Sequence, residues 1–142
     1  MKKRIVGLLI SLIIVLATSG CAVQEKASLG DHTDYKFTMY IGLNDKDTYK
    51  QLMSDDEAQQ LISKICLKYV DGFTFSRRQG AYKNEKGVVT QESSLVYEFY
   101  SVTDKEIRNI MDEAIVQLNQ SSILIEKTKV NYQFYEGIDK ND

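Results

Sequence analysis

The chain is poor in the residues on which most enzyme and metal sites depend. Histidine occurs once, as His32, and cysteine twice, as Cys21 and Cys66. Because His32 precedes the regular part of the sequence, we exclude a Ser-His-Asp triad and a histidine-rich metal site. The cysteines are too few for a metal site, and no glycine-rich phosphate-binding motif occurs. We therefore predict no metal and no cofactor.

Positive charge is scarce as well. The chain has 18 Lys and Arg against 20 Asp and Glu, which gives a net charge of −2. The first 20 residues carry three positive charges and no negative one, so their removal changes the net charge from −2 to −5. An acidic chain without a basic block is a poor candidate for binding phosphate backbones, and we exclude nucleic acid as a partner.

Residues 1–20 have the parts of a secretory signal peptide, because three basic residues precede an apolar run at 5–17. The run is shorter than the about 20 residues that a membrane-spanning helix needs. The next residues, TSGC at 18–21, resemble the lipobox of bacterial lipoproteins, although threonine stands where leucine is usual. This resemblance implies that Cys21 carries acyl chains such as palmitate, which anchor the chain durably to a membrane. An N-terminal anchor that stays uncut is the alternative.

Lipidation of Cys21 predicts an extracytoplasmic location at the cell membrane. It also leaves Cys66 without an intramolecular partner, so that no disulfide is available to the fold. Residues 21–34 are polar, small and aperiodic, and we interpret them as the lipidated cysteine and a flexible tether. Residues 35–135 are regular and have the size of one domain, and residues 136–142 are typical of a disordered tail.

Hydrophobic periodicity over residues 35–135 predicts four strands and two helices. Strand alternation holds at 36–43, in both arms of 71–100 and at 121–135. Helical spacing holds at 53–69 and 102–120. Each helical segment opens with a capping box, Ser54 with Glu57 and Thr103 with Glu106. Polar residues at 127–129 interrupt the last strand and predict a bulge or a bend.

The order β-α-β-β-α-β is that of the ferredoxin-like α+β fold. In this fold a four-stranded antiparallel sheet carries both helices on one face. The arms of the central hairpin, 71–100, are longer than ordinary strands of about 5–6 residues. The tip of this long central hairpin is therefore expected to project beyond the core.

Five short sequence motifs, which we call words, occur in an order that resembles a family of small secreted or lipid-anchored bacterial proteins catalogued as domain of unknown function 3574. The words are YIG at 40–42, DGF at 71–73, QGAY at 79–82, ESS at 92–94 and QSSIL at 120–124. The chain differs from the family pattern in having no tryptophan, so that Tyr82 stands near the Trp position. It also has no proline, so that Val70 precedes Asp-Gly. The resemblance implies no activity, because none is established for the family.

Polar side chains of the predicted hairpin form the first candidate site. With a turn near 84–87, residues 77–82 lie across from 89–94, which brings an arginine near a carboxylate. Such a cluster could grip a small polar ligand, because arginine binds carboxylates and phosphates through two hydrogen bonds and tyrosine gives a flat wall. A solvated cross-strand ion pair is the alternative. The members are Arg77, Arg78, Gln79, Tyr82, Glu92 and Ser94.

The second candidate is the sheet face that the helices leave open. Tyr40, Val96 and Tyr100 fall on this face by strand alternation. A partly apolar, aromatic face could bind a flat ligand or a second copy of the chain, while scattered surface tyrosines are the alternative. Cys66, on the flank of the first predicted helix, is typical of an inert packing residue.

Three classes of function fit these observations. The first is a non-enzymatic binding or interaction module, lipid-anchored at the cell envelope, with a small polar ligand or an envelope protein as partner. The second is a small enzyme of the dimeric α+β-barrel type, in which Glu92 or Tyr82, flanked by Arg78, does acid–base work. The third is a structural envelope protein that dimerises. We favour the first, because histidine, disulfides and metal spacings are lacking. A polar open face would support the binding module. An apolar open face that pairs with a second copy of the chain would support the enzyme or the structural protein.

Overall fold

A computed structural model describes residues 30, 32–83 and 85–137 of the chain. Six elements follow one another: β1 (His32–Gly42), α1 (Asp55–Cys66), β2 (Thr74–Lys83), β3 (Val89–Phe99), α2 (Asp104–Gln117) and β4 (Leu124–Tyr132). The predicted signal peptide, the predicted lipidation site at Cys21 and most of the predicted tail lie outside the described residues.

The strands form one sheet with the order β2-β3-β1-β4, in which every neighbouring pair is antiparallel. The connection through α1 passes over β3, and the connection through α2 passes over β1. This is the ferredoxin-like α+β arrangement that the order of elements predicted. In the described part of the chain, neither helix is both long and apolar enough to span a membrane.

The core lies between the helices and one face of the sheet. Because side chains alternate along a strand, the odd-numbered residues of β1 and β3 meet on this face. Met39 lies opposite Tyr97, and Ile41 opposite Leu95, and all four are fully buried. The helices add buried apolar residues at the predicted spacing: Ala58, Ile62, Ile65, Ile107, Ile110 and Ala114.

Both helices begin at the predicted capping boxes. The Ser54 hydroxyl accepts a hydrogen bond from the Glu57 N–H, and the Glu57 carboxylate accepts one from the Ser54 N–H. Thr103 and Glu106 repeat this arrangement at α2. The bonds satisfy N–H groups that the start of a helix leaves without an intrahelical partner. Hydrogen bonds from the capping residue also lower the pKa of each glutamate.

Two features of the strands differ from the sequence prediction. β1 begins at His32, so residues 32–34, which we assigned to the tether, pair with β4. β4 contains no bulge at 127–129, because its register with β1 is unbroken from Leu124 to Tyr132. Of the predicted bulge or bend, the bulge is therefore absent.

Lys127 explains why the strand stays regular. Its ammonium nitrogen lies 4.4 Å from the centre of the Tyr35 ring and 2.7 Å from a carboxylate oxygen of Asp104 in α2. The aliphatic part of a lysine can cover apolar surface while its charged end reaches a partner. A lysine at this strand position therefore extends the core side of the sheet without a change in pairing.

The β2–β3 hairpin extends past the rest of the sheet. β3 is in register with β1 through residues 94–99, whereas β2 pairs with β3 from Thr74 to Lys83. Within the described residues, the outer part of the hairpin thus lacks a third strand in register. The tip projects, as the length of the arms predicted.

Candidate functional site

Strand alternation divides the predicted hairpin cluster between the two faces of the sheet, because neighbouring residues of a strand point in opposite directions. Arg77 lies on the helix side, where its guanidinium donates to Asp56 and Gln59 of α1. Gln79 lies on the same side and donates to the Ser93 hydroxyl at 2.9 Å. Contrary to the prediction of one cluster, these two residues do not share a face with the others. The open face holds Arg78, Tyr82, Glu92 and Ser94.

Arg78 and Glu92 share the open face but do not bind each other. Arg78 stands opposite Ser94, and its guanidinium donates to the Arg77 carbonyl at 3.2 Å. Glu92 turns the other way, toward β1. In the described hairpin, therefore, neither the predicted arginine–carboxylate grip nor the alternative cross-strand ion pair is formed.

The Glu92 carboxylate lies over β1 at Gly42. A Cβ atom on Gly42 would stand 2.4 Å from Glu92 Oε1, which is too close unless the carboxylate moves away. The glycine lets Glu92 cross the strand and accept a hydrogen bond from the backbone N–H of Asn44 at 3.0 Å. This charge-assisted bond fixes one carboxylate oxygen. The other oxygen, Oε2, accepts no hydrogen bond from the described residues.

Asn44 joins three segments beside this carboxylate. Its Nδ2 donates to the Gln91 carbonyl at 2.9 Å, and its own carbonyl accepts from Gln120 Nε2 at 2.7 Å. Asn44 and Gln120 are both buried, so these bonds satisfy polar groups that water does not reach. Asn44 therefore connects the loop after β1 to the hairpin and to the α2–β4 connection by hydrogen bonds.

A buried carboxylate holds the loop that follows. Asp45 accepts hydrogen bonds from Asn119 Nδ2 at 2.7 Å and from the N–H and hydroxyl of Thr48 at 2.8 and 2.9 Å. These bonds, with the Asn119 bond the largest cause, lower the pKa of Asp45 to about 2. The same loop places Tyr49 in the left-handed region, with φ of 56°. This conformation is strained for an aromatic residue and persists only where the surrounding structure enforces it.

These segments enclose a cleft of about 500 Å³ at one end of the open face. We name it the tyrosine cleft, because Tyr40, Tyr49 and Tyr82 stand around it. Its volume falls in the range of about 300–1,000 Å³ that is usual for small-molecule sites. The rest of the lining is mostly polar and consists of Gly42, Asn44, Lys46, Lys83, Glu85, Glu92, Ser94, Gln120, Ser121, Ser122 and Leu124.

The tyrosine cleft gathers residues from four of the five words that carry the family resemblance. YIG contributes Tyr40 and Gly42, and QGAY contributes Tyr82. ESS contributes its first and last residues, and QSSIL contributes residues 120–122 and 124. The words are far apart in the chain, and the fold brings them to one place.

Charge in the tyrosine cleft is balanced, because Lys46 and Lys83 face Glu85 and Glu92. Arg78 does not line it. The serine hydroxyls of the lining accept and donate no hydrogen bond to other described residues. Hydroxyls, one carboxylate oxygen and flat aromatic walls can hold a small polar ligand by hydrogen bonding and stacking. No three His, Cys, Asp or Glu side chains meet in a metal-binding group within the described residues.

The middle of the open face is polar. Lys36 and Glu98 form an ion pair at 2.8 Å, and the Tyr40 hydroxyl donates to Glu126 at 2.9 Å. The hydrogen bond to Glu126 raises the pKa of Tyr40. Val96 lies on this face as predicted, but only 7% of it is exposed, so it offers almost no surface to a partner.

Tyr100, the third predicted residue of the open face, follows the end of β3 and is 39% exposed. Its ring packs against Tyr132 at 5.5 Å between centroids. Tyr40 lines the tyrosine cleft at the other end of the sheet. The two tyrosines therefore belong to separate surfaces and do not form one aromatic face.

Sequence reasoning missed the loop 44–49 and the segment 120–122 as parts of a site. Both are short polar stretches with no spacing of their own that indicates chemistry. The available signal was the family resemblance, since 120–122 opens the word QSSIL and the loop directly follows YIG. The order of words along a chain does not indicate which words meet in space.

Comparison with solved structures bears on the fold. The chain is similar to a phage SAM lyase in its apo state, with 14% identity and a TM-score of 0.52, over 81% of this chain and 100% of that one. It is also similar to the periplasmic divalent cation tolerance protein CutA from Archaeoglobus fulgidus, with 14% identity and a TM-score of 0.47, over 72% of this chain and 90% of that one. No curated protein sequence matches significantly.

Comparison with protein-family models gives a match that covers most of the domain. The model described as "Protein of unknown function (DUF3574)" matches residues 36–134, which include all five words. The chain therefore belongs to this family.

Proposed function

We propose that this protein is a non-enzymatic binding module of the cell envelope that holds a small polar ligand in the tyrosine cleft. The observation that carries the proposal is the convergence of distant family words on one cleft. Tyr40, Glu92 and Ser122 come from three separate segments and line the same space. Residues that served only to stabilise the fold would be expected in the core, whereas these three surround an open cavity.

The construction of the cleft supports a binding role. Glu92 is fixed through the Asn44 N–H, and the Asp45 loop holds Tyr49 in a strained conformation at the wall. Strained residues and prearranged polar groups are typical of ligand sites, because a rigid site loses less entropy on binding. The left-handed backbone at Tyr49 also closes the loop, in which the Asp45 N–H donates to the Lys50 carbonyl at 2.9 Å.

The charges of the lining favour a ligand that is uncharged or zwitterionic. Two lysines and two glutamates balance one another, and no arginine of the described residues lines the cleft. Arginine is the residue that binds phosphate and carboxylate groups through a planar fork. The anionic ligand that we considered from the sequence is therefore less suited to the cleft than a neutral polyol or an amino acid.

The polar open face supports the binding module over the two dimeric alternatives. A face-to-face dimer would bury the Lys36–Glu98 ion pair and the Tyr40–Glu126 hydrogen bond. Removing such charges from water costs several kcal/mol unless every group finds a new partner. The location at the envelope is supported by the signal-like residues 1–20 and by Cys21.

Ligand screening tests the proposal. The full chain, purified in mild detergent, is titrated with sugars, sugar alcohols and amino acids while thermal unfolding is followed. A ligand of the cleft raises the unfolding temperature of the wild type by mass action. Tyr82→Ala should weaken its binding by about tenfold or more, because a stacking wall is lost. Tyr35→Ala is the matched control, since Tyr35 is a similarly exposed strand tyrosine outside the cleft, 43% against 37% exposed.

Two results of this experiment would contradict the proposal. If no compound of these classes stabilises the protein, or if Tyr35→Ala weakens binding as much as Tyr82→Ala, the cleft is not the binding site. The envelope location is tested separately by expressing the wild type and Cys21→Ser with labelled palmitate. We expect label and membrane association in the wild type alone.

A further inference from the structure

A second cavity, of about 610 Å³, lies at the opposite end of the sheet from the tyrosine cleft. It is enclosed by the α1–β2 connection, the end of β3 and the start of α2. We name it the acidic pocket, because Asp71, Glu98 and Glu106 line it. It contains the family word DGF at 71–73, which the tyrosine cleft does not use. It also contains Tyr100, which we assigned to the open face.

The acidic pocket has an excess of negative charge. No Lys, Arg or His is part of its lining in the described chain. Glu98 uses one oxygen to bind Lys36, and Glu106 is held ionised by the capping bonds from Thr103, which lower its pKa. Asp71 accepts no hydrogen bond from the described residues. An uncompensated carboxylate in a cavity favours a positively charged ligand.

Aromatic side chains form the rest of the wall. Phe73 lies at the inner side, where its ring packs on Tyr97 at 5.1 Å between centroids. Tyr100 and Phe134 lie at the outer side and are 39% and 69% exposed. Both pack against Tyr132, at 5.5 and 5.6 Å. Exposed aromatic rings that are held in place beside carboxylates can bind a cation over their faces.

Gly72 lines the pocket and borders open space. A Cβ atom at this position would meet nothing within 4 Å, and the backbone of Gly72 is not in the left-handed region that demands glycine. Neither packing nor backbone conformation therefore requires a glycine here. A larger side chain at position 72 would extend into free space at the wall of the cavity, which gives the glycine of DGF a use in ligand access.

We propose that the acidic pocket binds a small organic cation with a quaternary or substituted ammonium head, such as choline. The positive head would lie between the aromatic rings and the carboxylates, where cation–π attraction and charge attraction add. This site is separate from the tyrosine cleft and does not depend on the function proposed for that cleft. Quaternary ammonium suits it better than a metal ion, because the carboxylates of the described residues do not meet in a metal-binding group, whereas aromatic rings attract an organic cation over their faces.

The test compares ligands that differ in one property. The full chain in detergent is titrated with choline, with tetramethylammonium and with 3,3-dimethyl-1-butanol, the uncharged carbon analogue of choline, and amide and aromatic NMR shifts are recorded. We expect saturable shifts at the acidic pocket with both cations. The neutral analogue should bind about tenfold more weakly or worse, because it lacks the charge. Glycerophosphocholine tests whether the ligand is a lipid headgroup or a free cation. It should bind more weakly than choline, because its phosphate is repelled by the carboxylates of the pocket.

Variants make the site assignment falsifiable. Gly72→Leu should narrow the pocket and reduce the affinity for choline by about tenfold or more without loss of fold, since the added side chain meets free space. Gly80→Leu is the matched control, because Gly80 has a similarly open position outside both cavities. Equal binding of choline and its neutral analogue would overturn the proposal. An absence of saturable shifts, or a Gly72→Leu protein that binds choline like the wild type, would do so as well.

Discussion

The carboxylate of Glu92 occupies the place that a side chain of residue 42 would take. Oε1 and Oε2 would be 2.4 and 2.7 Å from a Cβ atom on Gly42. Gly42 of the word YIG and Glu92 of the word ESS therefore contact each other in the folded chain. Their common effect is the hydrogen bond from the Asn44 N–H, which fixes the carboxylate at the edge of the tyrosine cleft.

Gly42→Ala should displace the Glu92 carboxylate while the fold is kept. The methyl group meets the far end of a flexible side chain, which can move away. The loss of a charge-assisted hydrogen bond is partly offset by the lower backbone entropy of alanine, so we expect a loss of about 1 kcal/mol in the free energy of unfolding. The free energy of ligand binding in the tyrosine cleft should fall by much more than the free energy of unfolding does. Urea unfolding and ligand titration measure the two effects.

Gly80→Ala serves as the control for that substitution. Its Cβ would be 4.0 Å from the nearest atom outside its immediate neighbours, which is ordinary contact. If Gly42→Ala binds the cleft ligand as tightly as Gly80→Ala does, the position of Glu92 has no part in binding.

Acid should loosen the loop at the tyrosine cleft through Asp45. The folded pKa of about 2 lies below the ordinary aspartate value of 3.8, so the carboxylate stabilises the fold fully above about pH 4. This contribution is lost as the pH falls from about 4 to about 2. Asp45→Asn removes the titrating group, so the difference in unfolding free energy between wild type and variant should shrink between pH 7 and pH 3. A difference that stays constant with pH would show that Asp45 does not titrate as the hydrogen bonds indicate.

The capping boxes contribute to the stability of the two helices. Ser54→Ala and Thr103→Ala each remove a hydroxyl that accepts a hydrogen bond from the third residue of the helix. Each should lower the free energy of unfolding by about 1 kcal/mol and the Tm by about 4–8 °C. Ser54→Thr and Thr103→Ser keep the acceptor and should remain near wild-type stability. Equal losses in the two sets would mean that the hydroxyl bonds are not the cause.

The fold could be predicted from the sequence because local signals and hydrophobic spacing agreed. Ser54 and Thr103 marked the helix starts, and alternation from Phe37 to Leu43 marked the first strand. Lys127 was misread because its charge breaks the pattern although its stem covers the core side of the sheet.

The site could be predicted only in part. The sequence cluster took both faces of the hairpin together, whereas in the structure Tyr82, Glu92 and Ser94 lie on the open face and Arg77 lies on the helix side. The contact of Glu92 with Gly42 lies between non-neighbouring parts of the chain. No local pattern encodes such a contact, and it depends on the strand order.

Cys66 should be inert until the protein unfolds. It is fully buried in the core, and burial raises the pKa of its thiol to about 12, so at pH 8 roughly one molecule in ten thousand carries the reactive thiolate. In a Cys21→Ser chain, Cys66 is the remaining thiol. A colorimetric disulfide reagent should react with it at a rate that follows unfolding in urea. Rapid labelling without urea would show that the thiol reaches solvent in the native state.

Light scattering on residues 28–142 distinguishes the binding module from the dimeric alternatives. We expect a monomer, because a dimer through the open face must desolvate Lys36 and Glu98, and because Val96 is already covered. Tyr40→Ala and Tyr100→Ala should leave the mass unchanged. Should the wild type instead be a dimer that either change breaks, the two open faces would enclose a shared pocket. Glu92 and Tyr82 would then become candidates for acid–base catalysis, and the enzyme of the α+β-barrel type would replace the binding module as the best account of the tyrosine cleft.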